Sequence, residues 1–108
     1  MTPLKAQIIE IVNQIPKGKV VSYAQVSGRI TVQPVRAQVV GWILSGMKPD
    51  EWSLCPWHRV VNQLGYIASL KLGGRGMLQI QLLSDEGVEI INDFVDMKKY
   101  RWEFEGEI

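Results

Sequence analysis

Cys55-Pro56-Trp57-His58-Arg59-Val60-Val61 sets a cysteine, a tryptophan, a histidine and an arginine within five consecutive residues. It contains the only cysteine and the only histidine of the 108-residue chain. Arg59-Val60-Val61 reads as a buried extended or short helical piece. The residues before it, Pro49 to Pro56, read as a loop carrying Trp52 and Cys55. A lone cysteine excludes an internal disulfide, and one cysteine with one histidine cannot complete a tetrahedral zinc shell. Cys55 itself reads as a small buried hydrophobe.

On the N-terminal side, Leu4, Ile8, Ile9, Ile11, Val12 and Ile15 recur at helical spacing, which predicts a helix over residues 3–15. Pro3 suits its first turn and Thr2 its N-cap. Pro16-Lys17-Gly18-Lys19 ends it. Val20-Val21 is a short extended piece. Ser22 caps a second helix from Tyr23 to Gly28, and a polar connection over 29–34 ends at Pro34. A third helix is predicted from Val35 to Gly46, with Val39, Val40, Ile43 and Leu44 inward. Two helices across a short connection make a helix-turn-helix reading. Many helical proteins that never meet DNA share that pattern.

On the C-terminal side, Asn62 to Gly65 is a turn and Tyr66 to Leu72 is irregular or strand-like. Gly73-Gly74 opens a helix over roughly Arg75 to Gly87. Its apolar side is expected at Met77, Leu78, Gln81, Leu82 and Leu83, with Gly87 as C-cap. In the tail, Tyr100, Trp102 and Phe104 alternate as on a strand.

Apolar residues at 46% and charged residues at 21% are ordinary for a globular chain. No apolar run is long enough to span a bilayer, and the N-terminus leads into an amphipathic pattern unlike a signal peptide. Cysteine usage points to a reducing, cytosol-like compartment. The net charge of +1 is unevenly spread. Residues 1–81 carry nine Lys/Arg and three Asp/Glu, a balance of +6; residues 82–108 carry three and eight, a balance of −5. Such asymmetry suits a basic binding face with an acidic tail packed elsewhere, or clustering on a solvated surface.

Pro56-Trp57-His58-Arg59-Val60 resembles the Pro-Cys-His-Arg-Val signature of the O6-alkylguanine-DNA alkyltransferases, with Trp57 where those enzymes carry the reactive cysteine. Pro-Trp-His-Arg-Val is the signature of their sister family, the alkyltransferase-like proteins. Ile15-Pro16-Lys17-Gly18-Lys19-Val20, Ser22-Tyr23, Leu82-Leu83-Ser84-Asp85-Glu86-Gly87 and Lys99-Tyr100-Arg101-Trp102 extend the likeness over roughly residues 4 to 104. The resemblance implies a mainly α fold: one small domain over 1–108 with a winged-helix-like helix-turn-helix, as in the C-terminal domain of those alkyltransferases.

It also implies roles. Tyr23 pushes on the phosphate 3′ to a damaged guanine, and its hydroxyl can bond a phosphate oxygen. Arg36 enters the base stack, where a planar cation can stack and pair. The family's spacing from the tyrosine is one residue longer and places Ala37 opposite the finger; a shorter connection restores Arg36. Gln38 and Gly41 follow on the DNA side, although Val40 and Trp42 add bulk where the family is small. A lesion pocket is expected from Trp57, His58, Arg59, Leu70, Lys71 and Glu86. Leu70 and Lys71 stand where the enzymes have a tyrosine and a serine. Trp57 can stack on or abut an extruded base.

Dealkylation needs an activated thiolate, and indole cannot supply one. The expectation is a monomeric, non-enzymatic protein without cofactor or metal. It binds double-stranded DNA with O6-alkylguanine in the minor groove and flags it for nucleotide excision repair proteins. It would be cytoplasmic, or on the nucleoid in a bacterium, with no membrane association. Two alternatives stay open: an alkyltransferase or other enzyme using Cys55 or His58, and a plain helix-turn-helix DNA-binding or interaction module.

Overall fold

The computed structural model describes residues 1–72 and 74–106. Helix α1, Pro3–Val12, begins as its sequence predicts, with the Thr2 hydroxyl accepting from the Lys5 amide at 3.2 Å. It stops short of Ile15. Gln14 and Ile15 instead donate to Ile11 and Val12, a tightened turn that still buries the Ile15 side chain.

Strand β1, Val21–Ser22, runs straight into helix α2, Tyr23–Ser27. The junction is a reciprocal capping box: the Gln25 amide donates to the Ser22 hydroxyl, and the Ser22 amide donates to the Gln25 side chain. Gln25 also donates to the Trp102 carbonyl at 2.7 Å, which fastens the tail to the same point. The connection after α2 is held by Gln7, whose side-chain oxygen accepts from the Thr31 and Val32 amides. Helix α3, Ala37–Ser45, starts two residues later than expected. Arg36, which follows Pro34-Val35, keeps extended backbone (φ −84°, ψ 157°) and serves as the N-cap. Val40 and Leu44 are buried; Val39 and Ile43 are partly so.

Pro49–Glu51 and Trp57–Arg59 are 3-10 turns, and the second leads into strand β2, Val60–Val61. β1 and β2 pair in parallel, Val21 with Val60 and Ser22 with Val61. This buried two-residue pairing pins the Trp57 turn beside the entry to α2.

Ala68–Leu72 is a further 3-10 turn, where an irregular or strand-like piece was expected. Helix α4 spans Gly74–Asp85; the expected opening at Gly73 lies outside the described residues. Its buried face is the expected one in part: Leu83 is buried and Leu78 and Leu82 pack against the larger core. Met77 is 67% exposed and Gln81 is exposed, whereas Gln79 is buried. Gln79 faces inward because it has partners there: it donates to the His58 and Val60 carbonyls and accepts from the Ser69 hydroxyl. Gly87, at φ +88°, ends the helix, and the Val88 amide returns to the Leu83 carbonyl.

An antiparallel hairpin follows, β3 (Ile90–Ile91) and β4 (Phe94–Val95), closed by Asn92 and Asp93 at φ 51° and 70°. Two consecutive positive φ values give the turn twist that hairpins favour. The tail corrects the strand expectation: Tyr100 ends a short helix, α5 (Met97–Tyr100), and only the following residues are extended. They lie along Val20, whose amide donates to Tyr100 and whose carbonyl accepts from Trp102. Two apolar clusters result among the described residues. The larger joins α1, α2, α3, Trp57 and Phe104; the smaller joins Val61, Ile67, Leu83, Val88 and Val95. No helix among the described residues is long and apolar enough to cross a membrane.

Candidate nucleic-acid interface

A cavity of about 520 Å³ opens between the helix pair and the Trp57 turn. Tyr23 and Ala24 of α2 and Ala37, Gln38, Gly41, Trp42, Leu44 and Ser45 of α3 form one side. Trp57, Asn62, Gln63, Ala68, Ser69, Lys71, Arg75 and Gln79 complete it. The Tyr23 ring rests against Gly41, where a Cβ would stand 3.8 Å from Tyr23 Cε1. Burial pushes the Tyr23 phenol above its ordinary value, against the pull of the Arg75 charge. It therefore stays a neutral donor at neutral pH.

Trp57 is only 5% exposed. Arg75 explains much of that. Its guanidinium carbon sits 4.4 Å from the Trp57 ring centroid and 5.5 Å from that of Trp52. The same guanidinium donates to the carbonyls of Leu44 (2.6 Å), Ser45 (2.7 Å) and Met47 (3.2 Å). Those carbonyls lie at the end of α3, where a cation is favoured. Arg75 thus joins α4, the end of α3 and the tryptophan wall. Sequence reasoning missed it, because its partners lie about thirty positions away and no local pattern announces them.

The expected lesion pocket divides in two. Trp57 and Lys71 line the cavity; His58, Arg59, Leu70 and Glu86 do not. A 3-10 turn advances a third of a revolution per residue, so Trp57 and its two neighbours do not all share one wall. His58 and Arg59 converge on Glu86. Glu86 takes His58 Nε2 at 2.8 Å, Arg59 Nη2 at 2.7 Å and the Gly18 amide at 3.1 Å, while Arg59 Nη1 reaches the Ile15 carbonyl. Burial works against the Glu86 carboxylate, but the bonds from Arg59, His58 and Gly18 outweigh it and hold its pKa down to about 2. Burial lowers the His58 pKa, with Glu86 opposing. Leu70 turns towards the smaller apolar cluster and backs onto Gly76, where a Cβ would come within 2.4 Å of Leu70 Cα.

The expected DNA-contact residues fall together better. Tyr23, Ala37, Gln38 and Gly41 all line the cavity. Arg36 is not in its wall but is exposed at the N-cap of α3, one residue before it. Cys55 is buried outside this cavity and lines a second, more open hollow of about 540 Å³, which Trp57, His58, Leu78 and Leu82 also line. Burial pushes its thiol up to about 11.

Helices α2 and α3, joined by a short connection and both lining the open cavity, form a helix-turn-helix arrangement in a mainly helical domain. Residues 3–88 match the family model for the DNA-binding domain of 6-O-methylguanine DNA methyltransferase, and the chain belongs to this family, in its alkyltransferase-like branch. A DNA base-flipping protein of Vibrio parahaemolyticus is 35% identical over 105 residues, covering 95% of this chain and 99% of its own. Alkyltransferase-like protein 1 of Schizosaccharomyces pombe is 29% identical, covering 94% of this chain and 96% of its own. The crystal structure of S. pombe Atl1 with damaged DNA containing O6-carboxymethylguanine superposes with a TM-score of 0.83 at 28% identity, covering 96% of this chain and 98% of that one.

Proposed function

We propose that residues 1–108 act as one DNA-binding domain that recognises O6-alkylguanine in a duplex and turns the damaged base into the cavity. It leaves the alkyl group in place and marks the site for nucleotide excision repair. One observation carries this reading. Tyr23 and Trp57 wall the same cavity, while the only thiol lies buried outside it. The volume is within the roughly 300–1,000 Å³ of ordinary ligand clefts, and an extruded base needs such a concave, partly apolar receptacle. The relatives named for base flipping and the damaged-DNA complex support the same assignment.

Tyr23, at the entry to α2, presses on a backbone phosphate in this reading. Arg36, exposed at the start of α3, fills the gap in the stack. The nitrogen lone pair of the Trp57 indole is delocalised into the ring and cannot take up an alkyl group as a thiolate does. Cys55, buried, protonated at neutral pH and outside the cavity that Tyr23 lines, does not replace it. The protein works as a monomer in the cytoplasm or on the nucleoid.

The test pairs two measurements on one duplex carrying labelled O6-methylguanine. Fluorescence anisotropy should show tighter binding than to the matched unmodified duplex at the same salt. After incubation the label should remain on the DNA. Label recovered on the protein would sink the non-catalytic part; equal affinity for both duplexes would leave a plain DNA-binding module.

A further inference from the structure

Trp57 has little ring surface left for an incoming base. Only 5% of it is exposed, Arg75 lies over its ring, and Trp52 leans on it with centroids 5.7 Å apart. Stacking a nucleobase requires a free aromatic face. Trp42 has one. It is 62% exposed, yet it lines the same cavity as Trp57 and Tyr23. Its place on α3 is next to Gly41, where the Tyr23 ring packs, and one turn beyond Gln38. A large indole left in water at the rim of a cavity is a ready contact for a flat apolar partner.

We infer that Trp42 is the stacking surface for the extruded base, and that Trp57, locked by Arg75 and Trp52, is the rigid wall the base meets edge-on. This rests on the base-extrusion reading above. It turns the bulk on α3 from an obstacle to groove entry into part of the receptacle. Because every base has a π face, Trp42 adds affinity for whatever base is turned out. Its contribution appears only where a base leaves the stack, so it falls mainly on lesion DNA.

The experiment measures anisotropy at one fixed salt for wild type, Trp42→Ala and Trp42→Phe, on the O6-methylguanine duplex and the unmodified one. Trp42→Ala should lose roughly tenfold or more on the lesion duplex and under about threefold on the other, with Trp42→Phe recovering most of the loss. The side chain is exposed, so thermal melts of both variants should stay close to wild type. A second readout keeps an aromatic ring in place: the lesion duplex should quench tryptophan emission in wild type and much less in Trp42→Phe. If wild type prefers the lesion and Trp42→Ala keeps that preference, or if quenching persists in Trp42→Phe, this inference fails alone. If wild type shows no preference, the base-extrusion reading fails and this inference goes with it.

Discussion

Glu86 is the acceptor through which three segments are tied: the Gly18 turn, the Trp57 turn and the end of α4. The likeness to the alkyltransferases pointed to His58 and Glu86 together, and together they are. It implied that they sit in the base pocket; neither lines the cavity that Trp57 shares with Tyr23, and His58 lies with Trp57 and Cys55 at the second hollow. The contacts the pair makes tie segments of the fold together. Glu86→Gln should therefore cost about 2–3 kcal/mol in urea unfolding at pH 7, since it leaves Arg59 half-served in a largely buried place. The pH dependence has a definite sign. Glu86 is held below its ordinary 4.5, to about 2, so its stabilisation is full above 4.5 and disappears as the pH falls through 2. His58 is held below its ordinary 6.5, so folding resists its protonation and stability starts to decline as the pH drops below that value. Wild type and Glu86→Gln should differ most near neutrality and converge near pH 2. A constant gap across that range would mean that the carboxylate charge is not what matters.

Arg75 and Gly65 show what the elements demand of single positions. Arg75 caps the end of α3 from another helix, so the cavity wall and the Trp57 face are set by one side chain. Arg75→Met should destabilise the protein by about 2 kcal/mol, because carbonyls at the α3 terminus lose a charged donor. Arg75→Lys should restore only part of this, as a point charge cannot reach three carbonyls from a planar fork. Equal stability of Met and wild type in thermal melts would remove Arg75 from this role. Gly65 seats the hairpin: it sits at φ +94°, accepts from the Val95 amide at 2.8 Å, and any Cβ there would stand 2.1 Å from the Val95 carbonyl oxygen. Gly65→Ala should cost at least about 3 kcal/mol, from strain and collision combined. A wild-type melting temperature would show that the turn can give way. Element starts with a cap chemistry were readable in advance, Thr2 and Ser22 above all. The start of α3 was not, because Arg36 makes no side-chain cap and nothing in its residue type marks it as an N-cap. The hairpin was missed because Asn92-Asp93 lacks the glycine that usually signals such a turn. The inner face of α4 was legible at Leu78, Leu82 and Leu83 but not at Gln79, because hydrophobicity cannot foresee that Gln79 has three partners inside.

Charge is the property that only the whole molecule explains. The sequence splits into a basic segment over residues 1–81 and an acidic one after it, and the fold gives that split a place. Every described residue lining the 520 Å³ cavity comes from the basic segment, and the charged ones among them, Lys71 and Arg75, are both cations. Arg36 adds a third beside the cavity, at the exposed start of α3. A duplex approaching this side meets positive charge, while Glu86, from the acidic segment, is already neutralised inside the fold. Net charge near zero therefore conceals a face suited to phosphates. Binding should weaken steeply with salt, because each phosphate contact contributes about −0.9 to the slope of log K against log salt. Lys71 is exposed, so Lys71→Ala should make that slope shallower by about one unit and weaken lesion and unmodified duplexes alike. Arg36→Ala should behave differently. If Arg36 enters the stack where the base has left, its removal weakens lesion binding severely and unmodified binding only slightly, whatever the slope. Anisotropy titrations of both duplexes over a series of salt concentrations separate the two effects. A Lys71→Ala slope identical to wild type would remove the cavity rim from the phosphate path. Arg36→Ala losing equally on both duplexes would reduce Arg36 to one more backbone contact.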